Sequence, residues 1–456
     1  MVEISEEQSE LLERLEKRLY PPGSAARIIA EFILGKPEEE PLDSRWIEIW
    51  DENKRSAKRY LGPNAYKKIS GVLENIVVID DKVWDIKISD DVKVVFLLGA
   101  GASAPSNIPT VDKLLPELWR RAKKIGRDDL DRLNKWCDMK RITNIEDLLT
   151  AAYMSNFVVK NPNITALTEY FLFLGGSELP EEKYTERHRI RLSARDVSSI
   201  SFLQDTLQTL FGLLASTMIP ADPNLSHSAI VDFIKEHKNS SIITTNYDGC
   251  MDEAILNAGL TLKGTLESPG RKHGVEDTDG VELIKMHGSI NWVYCESCQD
   301  VKEFELPELK DAYTNDKLGY PVISICPKCG GQRRPLLVPP LSFKFLMFPN
   351  LVEIWNNARQ KIDKANYLVI IGYSFSEADT YITKIISRAM SENEEQQMIV
   401  VNPDSHLVPS LRERLSRRID NFKGDRIINV CENCENILPE ILDSMLGKGG
   451  KKRKKK

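Results

Sequence analysis

The chain changes character at about residue 92, where short runs of consecutive apolar residues begin. The first run reads DVKVVFLLG, and similar runs follow at 240–246, 366–374 and 397–403, each ending in small or polar residues. A continuous apolar run of this length is typical of a strand that is buried on both faces of a parallel sheet. Because a helical pattern follows each run, the sequence predicts a doubly wound, Rossmann-like α/β sheet that binds ligands at the carboxyl ends of its strands.

Helical patterns fill the regions that lack such runs. Leucines recur every three or four residues between positions 11 and 19, and AARIIAEFILG follows a Pro-Pro-Gly break, which predicts a mainly helical N-terminal extension over 1–91. Within it, GVLENIVVID and KVWDIKI fit either short strands or a small appendage. About 130 mostly helical residues separate the first two predicted strands. This is too long for a simple crossover, so we expect a helical insertion at 112–225.

The first predicted strand runs into a glycine-rich turn, GAGASA at residues 99–104. This segment fits the G-x-G-x-x-G/A fingerprint, in which glycines permit a tight turn and helix N-terminal amides hold a pyrophosphate. For the motif taken alone, a glycine-rich strand exit without a ligand remains the alternative. The acidic residue that a dehydrogenase carries about 20 residues further on is not evident, so an ordinary dehydrogenase fits poorly.

Three polar side chains follow predicted strands further along the chain. Asn246 and Asp248 lie at the end of the second run, where an amide and a carboxylate can hold ribose hydroxyls, a water or a carboxamide. The alternative is an Asx turn in which Asp248 caps the next helix. His287 follows the apolar-leaning segment VELIKM and can titrate near neutral pH, as a general base does. A structural histidine is the alternative there.

Six of the eight cysteines occur in CxxC pairs. Two of the pairs, with 27 residues between them, make up one set: Cys295, Cys298, Cys326 and Cys329. Four thiolates in two such turns form a tetrahedral zinc site that leaves no position for a catalytic water. The sequence therefore predicts a structural zinc module over 291–335, with an unmetallated reduced set as the alternative. Cys431 and Cys434 lack a partner pair and fit two ordinary cysteines.

Composition narrows the class of protein. The 456 residues are 41% hydrophobic and 29% charged, as in a globular protein. No window approaches the length of apolar sequence that a membrane span needs. The acidic start lacks the apolar core of a secretory signal, and CxxC pairs suit a reducing compartment. We therefore expect a cytoplasmic protein.

The last ten residues, GKGGKKRKKK, stand apart in charge. They hold seven of the 62 basic residues, so the remainder has 55 basic against 68 acidic residues, a net charge of −13. An acidic body argues against a broad nucleic-acid-binding face. We expect a disordered basic tail at 446–456, with a weak nonspecific nucleic-acid contact as the alternative.

Taken in order, these clusters resemble the sirtuin superfamily. The chain reads GAGAS with NIP shortly after it, then TTNYD, HGS, a four-cysteine module, GYS, and a strand that ends in asparagine. The resemblance implies a sirtuin-like NAD-binding domain over 92–445, which the helical insertion interrupts. Polar residues also follow the last two apolar runs. Each of them alone is no more than a turn residue, but together, at the same edge of the sheet, they suit an adenosine moiety.

The resemblance also implies roles for the individual residues. The pyrophosphate of NAD would lie against four residues of the first loop: Gly99, Ala100, Gly101 and Ser103. Asn246 would position the nicotinamide ribose and the attacking water, and Asp248 would contact the nicotinamide carboxamide. His287 would be the general base near the ribose hydroxyls. The adenosine half would contact three residues further on: Gly372, Ser374 and Asn402.

Departures from the protein-deacylating pattern matter as well. Deacylases read GAGxSxxSGIPxFR, whereas this chain has Asn107 before Ile108 and Val111-Asp112 in place of Phe-Arg. It reads TTNYD for QNID, and RRPLLVPPLSFKF where deacylases carry a phenylalanine-glycine-glutamate segment before the strand that pairs with the peptide. These differences resemble the divergent bacterial branch with the NAD-hydrolysing effectors of Thoeris and related antiphage systems. The four-cysteine module points back towards deacylases.

From this resemblance we expect an NAD+ glycohydrolase that yields nicotinamide and ADP-ribose and acts as a regulated, NAD-depleting effector in antiphage defence. Such an activity needs a trigger, so we expect an activating partner, such as an ATPase or a nucleic-acid sensor, and a homo-oligomer. The alternatives are an NAD-dependent protein deacylase or ADP-ribosyltransferase and, from another class, a non-catalytic module that senses NAD or ADP-ribose.

Overall fold

The computed structural model describes isolated positions between residues 11 and 69 and then the ranges 78–126, 128–140, 142–149, 210, 212–219, 222–263, 280–295, 297–304, 325–331, 333–338, 351–376, 379–420 and 422–448. Within these ranges, no helix is both long and apolar enough to cross a membrane. The predicted helical insertion is described at its two ends, whereas its centre lies outside the described residues. So does the predicted tail beyond residue 448.

Two sheets organise the described chain. Their strands are β1 (Val78–Ile79), β2 (Val94–Leu98), β3 (Ser240–Thr244), β4 (Leu262–Lys263), β5 (Val281–Lys285), β6 (Gly288–Cys295), β7 (Val301–Glu303), β8 (Arg333–Leu337), β9 (Tyr367–Ile371), β10 (Gln397–Val401) and β11 (Ile427–Cys431). The large sheet has the order β1-β11-β10-β9-β2-β3-β5-β4, and the small sheet the order β7-β6-β8. Strand β1 pairs antiparallel with β11, and the other seven strands of the large sheet are parallel. The small sheet is antiparallel.

The apolar runs form the central strands because both faces of the large sheet are covered. In β2, Val94, Phe96 and Leu98 pack on one face and Val95 and Leu97 on the other, and none of the five is more than 3% exposed. Burying a side chain of this size contributes about 2 kcal/mol. All four predicted runs became strands (β2, β3, β9 and β10), and the predicted doubly wound sheet is confirmed.

Helices cover both faces of the large sheet. Those labelled here are α1 (Ala100–Ser103), α2 (Val111–Ile125), α3 (Asp128–Lys140), α4 (Leu225–Glu236), α5 (Cys250–Asn257), α6 (Leu351–Lys364), α7 (Thr380–Glu392), α8 (Leu407–Ser416) and α9 (Cys434–Met445). Helices α4, α5 and α9 share a core with Phe96, and α2, α3, α6, α7 and α8 share the opposite core with Leu97. The first two helices of the predicted insertion therefore pack in the core of the sheet domain.

The residues just before β2 also dock on this domain. Val83, in a 3-10 turn at Asp81–Asp85, is fully buried in the core that contains α9. Lys87 Nζ donates to Ser444 O (2.6 Å), and Ile88 N donates to Met445 O (3.1 Å). The predicted boundary at residue 91 stays a prediction. Further upstream, the buried positions that the structure describes form an apolar cluster of their own: Leu15, Ala25, Ile29, Ala30, Trp46, Ile49, Trp50, Ala57 and Ile69.

The strand order places a topological switch point between β2 and β9. From β2 the chain adds β3 and β5 on one side, then returns to add β9, β10 and β11 on the other side. Open α/β sheets bind their ligands in the crevice beside the carboxyl ends of the strands at such a point. The loops after β2, β3, β9 and β10 therefore define the place to look for a site.

Candidate active site

The loops after β2 and β9 are locked together at the switch point. Gly99 N donates to Ile371 O (2.9 Å), and Gly101 N donates to Gly372 O (2.8 Å). A Cβ on Gly101 would lie 2.8 Å from Gly372 Cα. A Cβ on Gly372, whose φ is +60°, would lie 2.3 Å from Ala102 N. Contact between two backbones therefore requires these glycines, whatever ligand the loop binds.

The N-terminus of α4 braces the same loop. Asn224 Nδ2 donates to Ala102 O (2.8 Å) and Ser106 Oγ (3.1 Å). His227 Nδ1 accepts from Asn224 N at 3.2 Å, so the neutral ring carries its proton on Nε2. Burial lowers the pKa of His227, and the carboxylate of Asp248 opposes that shift. The candidate site therefore contains a second buried histidine that the sequence analysis missed.

Asn246 leaves the end of β3 and binds the glycine loop directly. Its Nδ2 donates to Gly99 O (2.9 Å) and Ser103 Oγ (3.2 Å), while its backbone N donates to Thr244 Oγ1 (3.0 Å). These bonds use both hydrogens of the side-chain amide. Oδ1 accepts no hydrogen bond from the part of the chain that the structure describes. That oxygen is available to a water or a ligand hydroxyl.

Asp248 is buried where α5 begins, and an ammonium group lies beneath it. Its Oδ1 accepts from Cys250 N (3.0 Å) in an Asx turn, and Gly249 rather than Asp248 is the cap of α5. Lys285, only 2% exposed, donates from Nζ to Asp248 O (2.9 Å) and Ser289 Oγ (2.7 Å). The same Nζ lies 2.6 Å from Asp252 Oδ2. Lys285 therefore ties the turn after β3 to the turn between β5 and β6.

His287 lies in that second turn, in an aromatic enclosure. The side chain is buried, with the Trp355 ring stacked on it at 5.9 Å and the Tyr247 ring tilted at 6.4 Å. The next residue, Gly288, has a φ of +84°, and a Cβ there would lie 2.0 Å from Leu336 O. The glycine of HGS thus lets strand β8 approach the backbone beside the histidine.

An acidic cluster faces the Nε2 side of the His287 ring. Nε2 lies 3.3 Å from Asp379 Oδ2, and the Tyr373 hydroxyl donates to the same carboxylate oxygen at 3.0 Å. Burial, and then the charge of Asp379, raise the pKa of Tyr373 well above its ordinary value. Burial raises the pKa of Glu146 to about 7, with contributions from Asp379 and Asp147. His287 therefore lies beside a buried carboxylate that also shifts the pKa of Glu146 and Tyr373, an arrangement that is common around proton-transfer groups.

The predicted adenosine-side residues lie in the loops after β9 and β10. Gly372 takes part in the contact between the two loops. Ser374 is exposed and makes no hydrogen bond with the described residues. Asn402 donates from Nδ2 to Tyr373 O (3.3 Å), and its Oδ1 accepts from Asp404 N (2.9 Å). Asn402 therefore behaves as a turn residue that joins two loops, and the Ser374 hydroxyl is open to a ligand.

The four cysteines of the predicted zinc module converge at the end of β6. Their sulfur atoms all lie within 4.8 Å of one another: Cys295, Cys298, Cys326 and Cys329. Two of the S–S separations are 3.5 and 3.7 Å. A tetrahedral zinc ion with Zn–S bonds of about 2.3 Å holds its sulfurs about 3.8 Å apart. Gln299 and Gly330 follow the two pairs with φ of 58° and 71°, so the two turns are alike. The donor set fits the ion.

The third CxxC pair does not extend this cluster. Cys431 Sγ contacts Pro403 O at 3.3 Å, and Cys434 Sγ contacts Gly101 O at 3.8 Å. Both side chains are buried, and among the described residues neither belongs to a group of potential metal ligands. The two thiols pack as ordinary cysteines, one of them directly against the glycine loop.

The structure joins the strand-end residues into one site and holds the cysteines apart from it. Asn246 contacts Gly99, whose missing Cβ would lie 2.5 Å from Tyr373 Cα, and Tyr373 leads through Asp379 to His287. The cysteine cluster lies at the other end of β6, which begins directly after His287. Four buried or half-buried residues of the candidate site were not predicted from the sequence: Glu146, His227, Tyr373 and Asp379. Two of them have local signals, since His227 follows an Asn cap by three residues and Asp379 occupies the cap of α7.

Comparison with known proteins agrees with the sirtuin resemblance. Residues 240–314 match the model of the SIR2-like domain. An NAD-dependent protein deacetylase of Staphylococcus aureus strain Mu50 is 23% identical over 215 residues, 47% of this chain and 69% of that protein. Its Staphylococcus epidermidis counterpart is 23% identical over 224 residues, 49% of this chain and 72% of that protein.

Solved structures align over a larger share of the chain. The structure of a Sir2 homologue with NAD aligns with 82% of this chain and 96% of its own, at 16% identity and a TM-score of 0.43. A Sir2 complex with a p53 peptide and NAD+ aligns with 81% of this chain and 97% of its own, at 13% identity and a TM-score of 0.38. The match of residues 240–314 to the SIR2-like domain supports the resemblance of this chain to the sirtuin superfamily.

Proposed function

We propose that the chain hydrolyses NAD+ at the bond between nicotinamide and ribose. NAD is the ligand that the names of the bacterial relatives state and that the SIR2-like match favours. In this proposal, the pyrophosphate lies against residues of the loop after β2: Gly99, Ala100, Gly101 and Ser103. The adenosine half lies at the loops after β9 and β10, near Gly372, Ser374 and Asn402.

The side chain of Asn246 is the observation that supports this proposal most directly. Its amide nitrogen is fixed by Gly99 O and Ser103 Oγ, on the loop that would hold the pyrophosphate. The amide cannot turn over without losing both bonds, so Oδ1 keeps one direction. An acceptor held in this way can orient a water for attack on a nearby carbon.

The hydrolysis of NAD+ requires that NAD+ and the attacking water be positioned and that one proton be transferred. NAD+ and water give nicotinamide, ADP-ribose and one proton, and nicotinamide leaves as a neutral molecule. In our proposal, Asp248 contacts the carboxamide, Asn246 holds the water and the nicotinamide ribose, and His287 acts as the general base. Buried side chains around His287 exclude further water and strengthen the electrostatic interactions inside the site.

A protein deacylase is the second candidate, since the named relatives are deacetylases. The four-cysteine cluster also agrees with that candidate. The start of α2 argues for hydrolysis, because Val111-Asp112 stands where the deacylase pattern has Phe-Arg. The Thr110 hydroxyl donates to Asp112 Oδ1 (2.6 Å), so a carboxylate rather than a guanidinium occupies this helix start. The two candidates differ in the nucleophile: water or an acyl-lysine oxygen.

Product analysis separates the two candidates. The full-length protein is incubated with NAD+, with and without an acetyl-lysine peptide, and the products are resolved by liquid chromatography and mass spectrometry. Hydrolysis predicts ADP-ribose in both reactions at the same rate. O-acetyl-ADP-ribose that forms only with peptide would replace our proposal with the deacylase.

Two asparagines give a matched pair of variants for the same assay. Asn246→Ala should abolish turnover because it removes the oxygen that orients the water. Asn366 also binds backbone through its side chain, accepting from Lys93 N (2.8 Å), but it precedes β9 at the opposite edge of the sheet. Asn366→Ala should therefore retain activity. Equal losses in the two variants would point to a general effect on folding.

We further propose that the four-cysteine cluster holds a structural zinc ion and that the hydrolase is an effector of antiphage defence. An NAD-depleting enzyme harms its own cell, so a partner such as an ATPase or a nucleic-acid sensor would control it. Cells expressing the wild-type protein should lose NAD+ after phage infection, and cells expressing Asn246→Ala should not. An unchanged NAD+ concentration in infected cells that express the wild-type protein would contradict the defence role, but it would not contradict the proposed hydrolysis.

A further inference from the structure

Asp379 occupies a helix-capping position without capping the helix. It is the residue before α7, where a carboxylate normally accepts from the second or third backbone N–H of the helix. No such bond forms, and the carboxylate, which is 3% exposed, lies instead beside the ring of His287 and the hydroxyl of Tyr373. The carboxylate of Asp379 is therefore buried without using the helix N–H groups that would stabilise it. Such a costly arrangement indicates a role in the site.

The two nitrogens of the His287 ring have different surroundings. Nε2 is fully buried and lies 3.3 Å from Asp379 Oδ2, but their alignment is too poor for a hydrogen bond. Nδ1 makes no hydrogen bond with any residue that the structure describes. Hydrogen bonds of catalytic groups are often long before the substrate arrives and shorten in the complex.

Neighbouring groups determine the charge that Asp379 offers to this ring. Tyr373 donates a hydrogen bond to the carboxylate and keeps its own proton, so it does not remove the charge of Asp379. The negative charge of Asp379 also acts on Glu146 and Tyr373, both of which hold their protons more tightly because of it. Arg414 is a cation whose charge opposes the shift at Tyr373, and its Nη1 donates to Phe375 O (3.0 Å).

We propose that Asp379 is a positioning residue for His287: its carboxylate holds the proton on Nε2 and leaves Nδ1 as the nitrogen that accepts a proton. The part of this inference that concerns turnover rests on the proposed hydrolysis. There, Nδ1 takes up the one proton that the reaction of NAD+ with water releases. The imidazolium that results faces the carboxylate, and the proton then passes to solvent from Nδ1.

The tautomer of His287 tests the inference without any catalytic assay. Protein labelled with ¹⁵N-histidine is measured at about pH 9, where imidazole rings are neutral, and the His287 signals are assigned by their loss in His287→Gln. The wild type should show one tautomer, with a protonated Nε2 and an unprotonated Nδ1. Asp379→Ala should show a mixture of the two tautomers. An unchanged Nε2–H tautomer in Asp379→Ala would overturn the inference.

Kinetics test the consequence for turnover. Asp379→Asn keeps the shape of the side chain and removes its charge, so kcat should fall about 100- to 10,000-fold while KM for NAD+ changes less than about 3-fold. Asp363→Asn, an acid near the end of α6 that pairs with Arg359, is the control and should match the wild type in both parameters. A wild-type kcat in Asp379→Asn would refute the positioning role.

The two measurements separate this inference from the proposed function. A protein that makes O-acetyl-ADP-ribose only with peptide, but loses its single tautomer in Asp379→Ala, supports the Asp379–His287 pair and contradicts the hydrolase. A hydrolase that keeps its tautomer and its kcat in the two Asp379 variants contradicts the pair alone.

Discussion

The buried ion pair between Lys285 and Asp252, beneath the candidate site, tests how much burial contributes to the strength of a charge pair. Lys285 and Asp252 are 2% and 3% exposed, and Nζ lies 2.6 Å from Oδ2. Lys285→Met keeps most of the apolar volume but leaves the Asp252 carboxylate buried without its counter-charge. Breaking such a pair from one side costs about 3–5 kcal/mol, whereas replacing both partners by apolar residues is often close to neutral. We therefore expect Lys285→Met to lower the free energy of unfolding by about 4 kcal/mol.

The assay is a double-mutant cycle followed by denaturant unfolding. The cycle contains Lys285→Met, Asp252→Leu and the double variant, measured by tryptophan fluorescence in urea. The double variant should recover at least about 2 kcal/mol relative to Lys285→Met, because no charge is then left unpaired. Part of the loss should remain, since Asp248 O and Ser289 Oγ each lose a hydrogen bond from Nζ.

The same strand offers a matched control. Glu282, also in β5, pairs with Lys361 of α6 at 2.5 Å, but the side chains are 24% and 36% exposed. Lys361→Met should cost less than about 1 kcal/mol, as for other solvated pairs. A Lys285→Met variant that loses no more stability than Lys361→Met would show that burial does not decide the strength of this pair, and our reasoning would fail.

Three further predictions use other parts of the structure. Burial raises the pKa of Glu146 to about 7, against 4.5 in the unfolded chain. Between pH 4.5 and pH 7 the folded state therefore binds a proton that the unfolded state has lost. The free energy of unfolding should fall by up to about 3 kcal/mol as the pH rises through this range. Glu146→Gln should remove this fall, as urea titrations at pH 5 and pH 8 will show. Gly372→Ala should destabilise the protein by at least about 2 kcal/mol in the same titration, because its Cβ meets Ala102 N at 2.3 Å. Cys298→Ser should release zinc, measured by mass spectrometry of the metal, whereas Cys431→Ser should retain it.

The large sheet was predictable from the sequence because its central strands are covered on both faces. Burial on both sides leaves unbroken apolar runs such as Val94–Leu98. The edge strands were not predictable in this way. β4 has only two residues, too few for any periodicity. Of the two segments that fitted short strands, GVLENIVVID contains the two-residue strand β1, whereas KVWDIKI contributes a 3-10 turn.

The residues of the candidate site also differ in whether the sequence predicts them. Asn246 and His287 follow strands directly, so their place at the carboxyl edge was predictable from chain order. Asp379 comes near His287, and Glu146 comes near Asp379, only through tertiary packing. A single acidic residue at a helix start, such as Asp379, has no sequence pattern that distinguishes it from an ordinary cap. The predicted roles of the site residues stay predictions until the variants are measured.

The contact between the loops after β2 and β9 has a consequence for the thermodynamics of binding. A flexible glycine-rich loop loses conformational entropy when it closes on a phosphate, and that loss weakens the affinity. Here Gly101 N donates to Gly372 O and the two backbones are in close contact, so the loop has little freedom left to lose. Calorimetry should accordingly show a small entropic penalty for ADP-ribose, and amide hydrogen exchange at Gly101 should be slow before any nucleotide is added.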